Sequence, residues 1–172
     1  MKRFPSRWTI IFSLCLALAL LLPHCAKKPK VSGSASDFTL KTLEDQEITL
    51  SALKGKVILL DFWATWCGPC RESIPHLIQI YKTYHEKGFE VIGMSMDKGG
   101  AETVRHFVKS MDIPYPIIIT PDDVARDYGV TGLPTTVLID KEGKIREKMV
   151  GFSSTIAQQM VTKVEELTSE KP

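Results

Sequence analysis

Cysteine is scarce in the body of this 172-residue chain. Four are present. Cys15 and Cys25 fall in an apolar N-terminal stretch, so only Cys67 and Cys70 remain beyond it. No disulfide framework can be built from one pair, and no second pair supplies the other ligands of a zinc site. An excess of one charge is missing too. Lys and Arg number 22 against 20 Asp and Glu, a formal net charge of +2. No basic stripe and no interleaving of aromatic with basic residues points to nucleic acid. The cluster Lys27, Lys28 and Lys30 reads as solvated linker. There is no internal repeat and no low-complexity tract. Histidine does not lie between the two cysteines: His76, His85 and His106 fall on predicted helices and His24 precedes Cys25. They read as surface or partly buried side chains rather than ligands, so no metal and no cofactor are expected.

The N-terminus has what the rest lacks, a long hydrophobic run. Lys2, Arg3 and Arg7 precede residues 8–22, where only Thr9 and Ser13 interrupt apolar side chains. This is the layout of an export signal, shorter than the roughly 20 residues of a comfortable membrane span. Three readings compete. A cleaved signal wants small residues after the run, and none follow. An uncleaved anchor would be short. A lipoprotein signal would end at Cys25, with Leu22 suitably three residues before it, although Pro23 and His24 are larger than such sites prefer. All three place the domain outside the cytoplasmic membrane. Residues 1–25 are thus assigned to targeting, 26–36 to a polar linker and 37–172 to one domain, long enough for a single core.

Residues 37–40 and 47–50 alternate apolar and polar around a polar turn, a hairpin signature. Residues 56–63 read as a buried strand, an apolar run after Lys56 that is broken only by Asp61. Residues 71–87 carry a helical pattern, with Gly88 as its C-cap. A second strand covers 89–96, a helix 101–111, a short strand 116–119 and a short helix 122–128. Residues 135–140 and 145–150 make a second hairpin, with Gly143 in its turn. A last helix runs over 154–167, with Ile156, Met160, Val164 and Leu167 on one face. Strands alternating with helices, then a hairpin and a helix, predict an α/β fold: a central mixed sheet flanked by helices on both faces.

Cys67 falls where the first long strand meets the first long helix, within Trp66-Cys67-Gly68-Pro69-Cys70. The unpaired N–H groups and dipole of a helix start favour a thiolate, the form that attacks disulfides. Three residues of helix bring Cys70 to the same face. Gly68 permits the turn, and Pro69 suits the first helical turn. In an exported chain with no other domain cysteine, this pair reads as a redox couple; a static short-loop disulfide is the alternative. An aspartate inside an apolar strand is anomalous. If buried, Asp61 would have a raised pKa and act as a proton acceptor near neutral pH; at an exposed strand edge it would be an ordinary acid. Trp66 flanks the cysteine, either on the surface or half-buried.

The stretch from Asp61 to Cys70, Asp-Phe-Trp-Ala-Thr-Trp-Cys-Gly-Pro-Cys, closely resembles the active-site segment of thioredoxin. Leu133-Pro134-Thr135-Thr136 resembles the cis-proline loop of that fold. The N-terminal hairpin, the phrase Leu-Ser-Ala-Leu-Lys-Gly-Lys-Val at residues 50–57, and an extra helix and strand over residues 101–119 are similar to the TlpA/ResA branch of exported, membrane-tethered relatives. The resemblance covers roughly residues 36–167. It implies a thioredoxin-like fold with an N-terminal β-hairpin and a helix–strand insertion, and a thiol:disulfide oxidoreductase. Cys67 would attack and be the exposed sulfur. Cys70 would resolve, with Asp61 at the position of thioredoxin's buried proton-relay carboxylate. Cis-Pro134 would face the cysteines, leaving the Leu133 backbone to pair with substrate beside Trp66. The branch carries a Glu three residues after the second cysteine; here Ser73 stands there, and Glu72 is one residue off the required face.

The implied partners are disulfide-containing proteins, such as apocytochrome c or copper-site proteins, and a membrane electron donor. Gly68 and Pro69 bring no positive charge to stabilise a thiolate. The couple is thus expected toward the reducing end, on the order of −270 mV, where thioredoxin lies. Two alternatives share the fold. A thiol peroxidase needs a Pro-x-x-x-Thr-type loop before its cysteine, and residues 61–66 hold no proline. A copper chaperone resembles a Cys-x-x-x-Cys pair with a distal His, one residue wider than the spacing here.

Overall fold

The computed structural model of the chain describes residues 33–171. Cys15, Cys25 and the targeting segment lie outside the described residues. Strands β1 (Thr39–Lys41) and β2 (Glu47–Thr49) pair antiparallel, with Leu40 opposite Ile48. A 3-10 turn, Leu50–Leu53, leads into β3 (Val57–Trp63), all seven of whose residues are buried. A strand covered on both faces reads as a continuous apolar run rather than an alternation, which is why its sequence is nearly unbroken.

Helix α1 (Gly68–Tyr84) follows, then a 3-10 turn His85–Lys87. The helix starts directly after Cys67, where the sequence places the strand-to-helix turn, although its periodicity shows only from Arg71; Pro69 in the first turn forfeits no hydrogen bond. Gly88 ends the segment at φ +81°, a left-handed cap that favours glycine. Next come β4 (Phe89–Ser95), α2 (Ala101–Ser110), β5 (Ile117–Ile119), α3 (Asp122–Asp127), β6 (Thr135–Ile139), β7 (Ile145–Val150) and α4 (Ser154–Ser169).

The main sheet has the order β5-β4-β3-β6-β7. β3 pairs parallel with β4, and β4 with β5; β6 pairs antiparallel with both β3 and β7. The sheet is therefore mixed, as expected, with β3 at its centre. One core layer joins Val57, Leu59 and Trp63 of β3 to Ile74 and Leu77 of α1, Val104 of α2 and Met160 and Val164 of α4. The other joins Ile58, Leu60 and Phe62 to Phe38, Leu50, Ala125 and Tyr128.

Residues 33–50 cross the sheet. Ser34 bridges Lys144 at the β7 side and Thr42 bridges Ile118 at the β5 side. Leu43 N–H donates to Ile117 C=O at 2.8 Å, and Tyr128 Oη to Ser36 C=O at 2.6 Å. Gly33–Ser36, polar enough to read as linker, thus pair with the folded body. Among the described residues no helix is long and apolar enough to cross a membrane.

Candidate active site

Trp63 ends β3, and the chain turns through residues 64–66 into α1. Cys67 is the N-cap residue of that helix, with extended backbone at φ −85° and ψ 108°. Its Sγ accepts the N–H of Cys70 at 3.3 Å. The sulfur thus occupies the place where a capping oxygen usually satisfies a first-turn amide. Cys67 and Cys70 are disulfide-bonded, with Cα atoms 5.3 Å apart. Cys70 is fully buried, and Cys67 is only 5 % exposed. The sequence leads one to expect an exposed Cys67. The order of exposure is as expected, but capping the helix draws Cys67 inward too. Trp66 beside it is 70 % exposed.

Asp61 lies in the middle of β3, opposite Gly93 of β4 and Thr136 of β6. It is fully buried, and among the described residues neither carboxyl oxygen has a hydrogen-bond partner. Alternation places it on the face that carries Leu59 and Trp63, the layer that also holds Cys67 and Cys70. Ionising a carboxyl there forfeits hydration with nothing in return. Burial alone pushes its pKa up to about 7. Glycine at position 93 makes room for the wall beside this carboxyl. A Cβ on Gly93 would collide with Ile117 Cδ1 and lie 3.1 Å from Trp63 Nε1 and 3.4 Å from Tyr115 Cε2. Burial, and secondarily the charge of Asp61, hold the Tyr115 phenol well above its ordinary value.

The Leu133–Pro134 peptide is cis. Pro134 is buried and Leu133 half-buried, at the start of β6. Thr135 and Thr136 then pair with Phe62 and Asp61, which carries the loop to the β3 end that leads into the cysteines. Gly151 N–H donates to Pro134 C=O at 2.7 Å, tying the end of β7 to the same loop. Ser73, where the branch has an acid, is buried, and its Oγ donates to Cys70 C=O at 2.9 Å. Glu72 is exposed. The structure thus sets Cys67 and Cys70 at the start of α1, Asp61 within β3 on the face whose core layer holds both cysteines, and Pro134 just before the strand paired with Asp61 and Phe62; Cys25 lies outside the described residues.

One group escapes the sequence reading. Asp97, 6 % exposed, accepts from Thr65 N–H at 2.9 Å, Thr65 Oγ1 at 2.6 Å and Ser95 Oγ at 3.0 Å. Arg71 Nε and Nη2 donate to Thr65 C=O at 3.1 and 2.9 Å. The available signal is a serine and an aspartate closing an apolar strand, at residues 95 and 97.

A disulfide closed across the first turn of a helix, at the end of a central strand in a thioredoxin-like sheet, defines a thiol:disulfide oxidoreductase. The chain belongs to the AhpC/TSA family, whose profile matches residues 31–148. It is 39 % identical over 155 residues to a thiol-disulfide oxidoreductase ResA of Bacillus cereus, covering 87 % of this chain and 89 % of that one. Against the ResA of Bacillus subtilis (strain 168) identity is 32 % over 165 residues, 93 % and 90 % of the two chains. Among solved structures it is similar to a thiol:disulfide interchange protein of the thioredoxin family from Chlorobium tepidum TLS. The TM-score is 0.70 at 28 % identity, over 84 % of this chain and all of that one.

Proposed function

We propose that the protein reduces disulfides of exported proteins outside the cytoplasmic membrane, with Cys67 as the attacking and Cys70 as the resolving thiol. The observation that carries this is the Cys67–Cys70 bond at the N-cap of α1, with a buried, unpartnered Asp61 on the same face of the sheet. Cys67 thiolate attacks a substrate disulfide. A mixed disulfide forms, and the departing substrate sulfur takes up a proton. Cys70 gives its proton to Asp61 and attacks the Cys67 sulfur. Substrate leaves as a dithiol, and the two electrons it gained leave Cys67–Cys70 oxidised, the state seen here. A membrane electron donor then restores the dithiol.

Substrate backbone pairs at Leu133 beside Pro134, a strand-addition mode, with Trp66 covering its side chains. Apocytochromes c awaiting haem and copper-site proteins are the substrates named by this reading. The reducing direction follows from the uncharged Gly68-Pro69 between the cysteines. Residues 1–25 act as export signal, with Cys25 lipidated or the apolar run retained as anchor, and residues 26–32 continue as linker.

Trapping tests the whole scheme. A Cys70→Ser variant is expected to accumulate mixed disulfides at Cys67, identifiable by mass spectrometry, which the parent does not hold. No adduct in either the soluble or the membrane fraction sinks the reading. The family profile makes thiol peroxidase worth a direct assay. Peroxide consumption at a rate rivalling insulin reduction would replace the present reading.

A further inference from the structure

The hydrogen bonds around Thr65 hold the loop that presents the redox couple. Thr65 is the middle of the three residues between β3 and the cap Cys67. Its peptide is gripped on both sides. Asp97 takes its N–H and its hydroxyl. Arg71 takes its carbonyl through two guanidinium donors. Each gripping group has a further contact, although Arg71 is exposed. Asp97 is buried and held by Ser95 Oγ, while its own N–H donates back to that oxygen at 3.2 Å. The Arg71 guanidinium lies 5.3 Å from the Phe107 ring centroid, and Phe107 packs on Trp63 with centroids 5.2 Å apart. The loop is further closed by Cys67 N–H on Ala64 C=O at 3.1 Å and Met96 N–H on Trp63 C=O at 2.8 Å.

We propose that Asp97 and Arg71 are positioning residues for the redox couple, clamping the Thr65 peptide so that Trp66 and Cys67 keep their place at the start of α1. The inference rests on the reductase reading above and adds to it the residues that set the cysteine's geometry. Charge-assisted bonds to a buried carboxylate are among the stronger hydrogen bonds, and a reacting group displaced by an ångström loses much of its rate. Phe107 belongs to α2, so the inserted helix reaches the couple through Arg71. With the clamp released, the Cys67 sulfur is no longer fixed on the first-turn amides that favour its thiolate.

The sign of one shift separates positioning from simple electrostatics. Reduced Thr65→Val and Asp97→Asn proteins are compared with the parent by iodoacetamide alkylation of Cys67 across pH, and by insulin reduction driven by dithiothreitol. Thr65→Val removes the hydroxyl bond and leaves every charge in place. Both variants are expected to move the Cys67 alkylation inflection to higher pH and to lower kcat/KM by about 10- to 100-fold. Asp140→Asn is the control. It changes an equally buried carboxylate, hydrogen-bonded to Glu142 and Lys144 N–H at the far end of β6, and is expected to leave both readouts at parental values.

A lower inflection in Asp97→Asn with a parental Thr65→Val means charge alone acts, and overturns the clamp. So does an equal loss in Asp140→Asn. If Asp97→Asn does not fold, Thr65→Val decides. A parent inactive on insulin defeats the reductase reading, while alkylation still judges the clamp.

Discussion

Asp61 is a costly residue to bury. An ionised carboxylate with no partner in a closed core is strongly disfavoured, and its pKa of about 7 against an ordinary 3.8 states that cost. Between those values the folded protein keeps a proton that the unfolded chain has lost. Unfolding free energy is therefore expected to fall as pH rises from about 4 to about 7 and then level. The full cost is on the order of 4 kcal/mol above pH 7. Asp61→Asn should flatten that slope and be more stable than the parent at pH 8, as read by urea denaturation of the oxidised proteins. The same variant should reduce insulin on the order of 100-fold more slowly and lose the rise in rate through neutral pH. A variant as fast as the parent at every pH removes Asp61 from the relay. Greater stability together with lower activity is the pairing that marks a functional burial rather than a packing error.

At the scale of elements, the insertion matters because of what it seals. β5 and the residues just before it bring Ile117 and Tyr115 against β4 at Gly93, the register partner of Asp61. Gly93→Ala forces the Ile117 side chain to move within a filled core. It is expected to cost about 1–3 kcal/mol, measured by chemical denaturation. Loosened packing there also admits water to Asp61, so the inflection of the pH–rate profile should shift downward from its parental position. An unchanged inflection with the stability loss intact would show that this wall does not tune the carboxyl. Much at this scale was legible. The periodicity of residues 154–167 marks α4, and the apolar run at 57–63, broken only by Asp61, marks β3, because burial imposes a pattern on each. The start of α1 at Gly68 was legible too, from turn and capping chemistry rather than periodicity: Gly68 permits the turn and Pro69 suits the first helical turn.

For the molecule as a whole, the N-terminal arm closes the fold. It covers one core layer with Phe38 and Leu50 and touches both sides of the sheet through Ser34 and Thr42. Covering sheet edges removes templates for unwanted strand pairing. Tyr128 anchors the arm by its hydroxyl on Ser36 C=O, 2.6 Å away. Tyr128→Phe keeps the ring that packs on Phe62 and deletes only that bond. Its expected cost is about 1 kcal/mol, and limited proteolysis should cut first within residues 33–50. Cleavage elsewhere at an unchanged rate would mean the arm is held by other contacts.

The proline loop was legible only through its resemblance to thioredoxin; the sequence by itself determined the cysteine pair, its strand-to-helix setting and the odd aspartate in an apolar strand. Each is a local departure from a regular pattern, and local patterns are written in consecutive residues. Only the tertiary structure decided that Asp61 has no hydrogen-bond partner among the described residues, that Cys67 is tucked into its own helix cap, and that Asp97 reaches back 32 positions to Thr65. Those facts depend on which side chains meet across β3, β4 and the inserted α2, and distance along the chain carries no record of that.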